Sequence, residues 1–177
     1  MRNYLSCDTV ADLFLVQVDP LAGDTISNLK LQKLCYYGQA WSLALRDVPV
    51  FSDPLEAWAH GPAVPSLYKR FRKYGSSAID PYDIVSNPLR DLGGDTKEIL
   101  LGVWTRYGRL TGTQLRNLTH REEPWVRARG STPPGEACNA EITHDSMRSF
   151  YRRMLESANE SDSRAFGSIT DVRPRAG

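Results

Sequence analysis

The sequence is short of cysteine: Cys7, Cys35 and Cys138 are an odd number at wide spacing, which excludes a dense disulfide framework and fits reduced thiols in a cytoplasm. It also lacks an excess of either charge. Lys and Arg total 22 against 21 Asp and Glu, so the net charge of +1 gives no general attraction to nucleic acid or to an anionic membrane. There is no long apolar run, since Val10 to Val18 is interrupted by Asp12 and Gln17 and falls far short of the ~20 apolar residues that cross a bilayer. At the N-terminus, Met1-Arg2-Asn3-Tyr4-Leu5 leads to Asp8 and Asp12 rather than to an apolar core and a cleavage site, so no export signal and no membrane partner are expected. His60, His120 and His144 stand apart from one another without Cys or carboxylate at zinc-ligand spacing, and Gly93-Gly94 lacks the further glycines and lysine of a phosphate loop. Neither a metal nor an organic cofactor is expected, and no nucleophile elbow or dinucleotide fingerprint is present.

What the sequence does contain is helix punctuation. With 177 residues and 41% hydrophobic content, it reads as one mainly α domain over 1–155, a bundle of about six helices with a small β-hairpin or short strand, followed by a flexible polar tail over 156–177. A first helix is expected from Asp8, its cap, to Leu21, with Val10, Phe14, Val18 and Leu21 on one face. Ser27 is placed to cap the second helix, with Ile26 and Leu31 at the spacing of a hydrophobic staple. Along it, Leu31, Leu34, Cys35, Gly38, Trp41 and Leu45 trace an apolar stripe that leaves Lys30, Lys33 and Arg46 off its centre.

Leu55 to His60 alternates as a short strand, Gly61-Pro62 turns the chain, and Val64, Leu67, Tyr68 and Phe71 give a third helix that Gly75 ends. Its solvent face is read as Lys69, Arg70, Arg72 and Lys73. The stretch from Ser76 to Gly94 is a long connection with a brief turn near Tyr82 to Val85. Beyond it, Asp95 or Thr96 caps a helix that Gly108 stops, and Thr111 with Gln114 forms a capping box. Pro124 opens a short helix, and Met147 to Leu155 carries the apolar face of the last one.

Reactive pairs are scarce. Cys35 and His60 are the one conceivable thiol and base, but Cys35 lies within the apolar stripe as a small core residue, and His60 reads as a turn residue hydrogen-bonding the backbone. Not an enzyme, then, but a binder is expected. The run Lys69 to Tyr74 mixes bases with aromatics, which leaves an ordinary exposed face, an acidic protein partner and nucleic acid open, nucleic acid being the weakest. Among the four tryptophans, Trp58 is the best candidate for an exposed anchor.

The block Ile26-Ser27-Asn28-Leu29-Lys30-Leu31-Gln32-Lys33-Leu34-Cys35-Tyr36-Tyr37-Gly38-Gln39-Ala40-Trp41 resembles the opening signature of the Panacea domain, the SocA-like antitoxin family. Glu56-Ala57-Trp58-Ala59-His60-Gly61-Pro62-Ala63-Val64-Pro65-Ser66-Leu67-Tyr68, then Leu118-Thr119-His120 and Pro124-Trp125, resemble its later motifs in the expected order. The resemblance implies an antitoxin of a type II toxin-antitoxin system, whose partner is a cognate protein toxin encoded by an adjacent gene and neutralised by direct binding. It leaves room for a proteolytic adaptor that delivers the toxin to a Clp-type protease, and, with less support, for a nucleic-acid-binding regulator. The partner-binding residues expected are Trp58, His60, Tyr68, Arg72 and Tyr74.

Overall fold

The computed structural model describes residues 5–169, with side chains through Glu160. Eight α-helices and one hairpin make up the described residues: α1 (Cys7–Val16), α2 (Asn28–Arg46), β1 (Glu56–Trp58), β2 (Gly61–Ala63), α3 (Pro65–Phe71), α4 (Pro88–Asp91), α5 (Gly94–Tyr107), α6 (Gly112–Thr119), α7 (Glu123–Arg129) and α8 (His144–Ile169). This is the mainly helical fold with a small strand element that the sequence predicts.

Local signals set most of the boundaries. The Ser27 hydroxyl accepts the Lys30 amide at the start of α2, and Ile26 and Leu31 are both buried there. Thr111 and Gln114 form both bonds of the predicted capping box, and Gly108 ends α5. Two starts differ from expectation: Ser6 rather than Asp8 caps α1, and α5 begins at Gly94, a turn before Thr96 could cap it. The first helix also stops at Val16, short of Leu21. Pro20 has no amide to continue the ladder, Asp19 caps a separate 3₁₀ turn over Pro20–Ala22, and Leu21 is left 99% exposed. At the other end, α8 runs past Leu155 to Ile169, so residues 156–169 of the expected tail continue that helix; 170–177 lie outside the described residues.

The larger departure is α2. Helices α1, α3, α5, α6 and α8 and strand β2 all pack on it, so it is buried nearly all round rather than along one stripe. Lys30 and Lys33 are therefore inside, and Leu45, the expected end of the stripe, is exposed. Close helix contact uses Gly38, where a Cβ would lie 2.6 Å from Leu100 of α5. The polar groups on α2 are paired: Lys30 Nζ donates to the carbonyls of Gly108 (2.6 Å) and Thr25 (3.1 Å), and Gln39 bonds both ways with the backbone at Val50 and Phe51. Tyr36 and Tyr37 of α2 and Tyr151 of α8 donate their hydroxyls to one carboxylate, Glu122, at 3.1, 3.0 and 2.8 Å. Burial raises the Glu122 pKa while the three hydroxyls act in the opposite direction.

The segment between α3 and α5 is tied down at Asp12. Asp12, fully buried on α1, accepts from the Val85 and Ser86 amides and the Ser86 hydroxyl, and pairs with Arg70 at 2.7 Å. Arg70 thus turns inward, also reaching Asp8, whereas Lys69, Arg72 and Lys73 stay on the solvent face where the sequence placed all four. Losing one partner of so buried a pair leaves a bare charge, which makes this clamp structurally costly to break.

Candidate partner-binding site

The hairpin places Glu56 opposite Ala63, Ala57 opposite Pro62 and Trp58 opposite Gly61, with Ala59 and His60 in the turn. At Gly61 the backbone takes φ +94°, and a Cβ there would sit 2.6 Å from Lys33 Cε and 2.8 Å from Thr119 Oγ1. Only glycine serves on both counts. The hairpin therefore presses directly onto α2 and α6.

Neither strand is a free edge. The Ala57 amide donates to Ala140 O and the Ile142 amide to Leu55 O, so residues 140–142 cover the outer side of β1. On the side of β2, the Val64 amide donates to Gln32 Oε1 and Pro62 O accepts from Lys33 Nζ at 2.9 Å. Trp125 Nε1 donates to Trp58 O, and Arg129 holds Ala57 O together with the carbonyls of Pro133 and Glu136. Trp58 was expected on an edge-prone strand; with both edges engaged, the hairpin offers its surroundings side chains rather than a free strand edge.

Those side chains face a groove of about 840 Å³ between the hairpin, the start of α2 and the 137–139 segment. Trp58 and Tyr68 form one apolar wall, their rings edge to face at 5.0 Å. Trp58 Nε1 donates to Glu56 at 2.6 Å, and Tyr68 is 43% exposed. Gln32 and Asn28 lie in the floor but are occupied by each other, by Val64 and by Tyr68 O. His60 stands exposed at the rim and, contrary to the expectation of a backbone bond, its ring makes no hydrogen bond among the described residues.

Of the five residues predicted to meet a partner, Trp58, His60 and Tyr68 thus come together around one groove. Arg72 and Tyr74 do not line it. They lie on the 3₁₀ turn Arg72–Tyr74 just before the groove residues Gly75 and Ser76, and the Tyr74 hydroxyl donates to Asp83 at 2.8 Å. Cys35 and His60 are not brought together for chemistry either: Cys35 is fully buried beside Cys7, whose thiol burial holds well above its ordinary pKa.

Sequence reasoning missed the basic residues beneath the turn. Lys33 is 1% exposed, and burial, reinforced by the nearby Arg116 charge, lowers its pKa to about 7. His120, stacked on Trp125 with ring centroids 4.0 Å apart, is lowered to about 4 by burial and then by Arg116, Lys33, Arg129 and His60. The readable signal was the spacing Arg116, Thr119, His120 on one helical face, next to a lysine already placed on the neighbouring helix.

The candidate site is thus a groove of aromatic and basic side chains set in a mainly helical module. Residues 31–126 match the family described as "Antitoxin SocA-like, Panacea domain", and the chain belongs to that family. A relative, Antitoxin SocA of Caulobacter vibrioides (strain NA1000 / CB15N), is 32% identical over 111 residues, which is 56% of this chain and 58% of the relative. The chain thus spans a little over half the length of that curated relative. No solved structure matches it. Among the described residues no helix is long and apolar enough to cross a membrane.

Proposed function

We propose that this protein is a cytoplasmic antitoxin that neutralises a protein toxin, encoded by an adjacent gene, by binding it directly through the hairpin face. The observation that carries the reading is the family match over 31–126, because that span contains the groove's Gln32, Lys33, Trp58, His60 and Tyr68. Trp58 and Tyr68 supply rigid aromatic area at the centre, the kind of side chain that dominates binding energy, and His60, Arg72 and Tyr74 flank them.

Expression of each neighbouring gene product with and without this protein tests the reading. Growth arrest by one product alone, relieved by co-expression and accompanied by co-purification of the two chains, is expected. If no neighbouring product is toxic or binds, the antitoxin reading is wrong. Toxin half-life separates sequestration, in which it is unchanged or lengthened, from adaptor-driven proteolysis, in which it shortens.

A further inference from the structure

Beneath the hairpin turn five basic side chains gather: Lys33 from α2, His60 from the turn, Arg116 from α6, His120 just after it and Arg129 from α7. Among the described residues none of the five forms an ion pair. Three of the acids close by are engaged elsewhere, and among the described residues Glu136 and Glu141 form no ion pair with the cluster. Glu122 faces three tyrosine hydroxyls, Glu56 holds the Trp58 indole, and Glu123 pairs with Arg127 and Arg153.

Two side-chain nitrogens in this cluster, the Arg116 Nε donor and His120 Nε2, are buried with no hydrogen-bond partner. Such atoms are rare in folded proteins and call for an explanation. Lys33 Nζ, whose ammonium has three donors, reaches only Pro62 O. Arg116 is therefore short of acceptors in both charge and hydrogen bonds, and the cluster around it adjoins a groove whose apolar wall is Trp58 and Tyr68.

We propose that the Lys33, His60, Arg116 and His120 cluster receives carboxylates from an acidic segment of the protein partner, while an apolar side chain of that segment enters the groove against Trp58 and Tyr68. This rests on the partner-binding reading and names the chemistry of what is bound. Charge complementarity favours a protein segment over a nucleic-acid backbone for a geometric reason. The charge is concentrated at Arg116, partly exposed and set back beside the turn, so that a carboxylate on a flexible side chain reaches it while a row of phosphates on a stiff strand meets no matching row of exposed bases. Interfacial charge pairs of this sort set partner choice and association rate as well as affinity.

The test is a fluorescence titration of the full chain with a short labelled peptide of glutamates around a central leucine, its glutamine counterpart, and a thymidine oligonucleotide of similar length. The glutamate peptide is expected to bind at least about tenfold more tightly than the glutamine one. Arg116→Gln, which removes no hydrogen bond present in the fold, is expected to weaken it about tenfold, and Arg116→Glu further. Arg90→Gln, which alters an exposed charge on α4, leaves it unchanged. Equal binding of the two peptides, no binding of either, tighter binding of the oligonucleotide, or indifference to Arg116→Glu in a chain that still melts cooperatively each overturns the proposal. The neutralisation assay is read apart from this: a chain that neutralises a neighbour's toxin equally well with Arg116→Glu keeps the function and loses the acidic-segment inference.

Discussion

Helix α2 and the hairpin are the two halves of the segment that carries most of the family signature, and they solve opposite problems. In α2 nearly every side chain is buried, and each polar one has an internal acceptor or donor, as at Lys30, Gln39 and Tyr36. The hairpin satisfies its backbone just as completely but turns Trp58 and His60 outward, with Tyr68 beside them, towards space. The difference teaches that strong sequence patterns in one block can mean buried scaffold in one half and side chains facing an open groove in the other. Substitutions in α2 and its supports should lower stability, and those on the hairpin face should lower binding.

The sharpest way to break that division is Gly61→Val, since Gly61 belongs to the hairpin yet its Cβ would meet Lys33 of α2. Positive φ together with a 2.6 Å approach predicts a loss of about 3 kcal/mol or more, read from urea unfolding. A loss under about 1 kcal/mol would show that the hairpin floats on α2 instead of pressing on it. Glu122→Ala comes next: it strands the hydroxyls of Tyr36, Tyr37 and Tyr151, and about 2–4 kcal/mol of stability should go.

Truncation of Trp58 or Tyr68 to Ala is expected to weaken toxin binding by about 2 kcal/mol, some thirtyfold, with a smaller change in melting temperature. The reverse pattern, stability lost and affinity kept, would place the hairpin with the scaffold. Arg72→Ala, outside the groove, should cost about 0.5 kcal/mol or less in affinity.

Lys33 joins the two halves and has a pH signature of its own. Its pKa is about 7 in the fold and about 10.4 in an unfolded chain, so between those values the unfolded chain holds a proton that the folded chain lacks. Stability from this group therefore rises with pH across that window, and the burial penalty is fully present below about pH 7. Lys33→Met removes the penalty. Its stability advantage over the parent should be largest below about pH 7 and shrink as pH rises, and the paired comparison cancels the opposite trend from the Cys7 thiol. A pH-independent difference between the two proteins would mean that Lys33 stays charged in the fold.

Helix starts were legible where a side chain reports them, as at Ser27, Thr111 and Pro124. The groove's Trp58, His60 and Tyr68 were legible as aromatics and a base around a turn. The burial of Lys33 and Arg70 was not, because periodicity assigns a lysine or arginine to solvent unless the partner is known. Pro62 O lies 29 residues from Lys33, and Asp12 lies 58 from Arg70. The basic cluster failed to show for the same reason: its members come from four separate stretches of chain, and only the packing of α6 and α7 under the turn unites them.

The hairpin's backbone is held from outside by Lys33, Gln32, Trp125, Arg129 and the 140–142 segment. Its frame thus owes little to which residues decorate it. Exchange at Trp58, His60 or Tyr68 alters shape and charge at the surface while the loop beneath keeps its course, so on the proposed function the face is open to re-addressing in single mutational steps without passing through an unfolded intermediate.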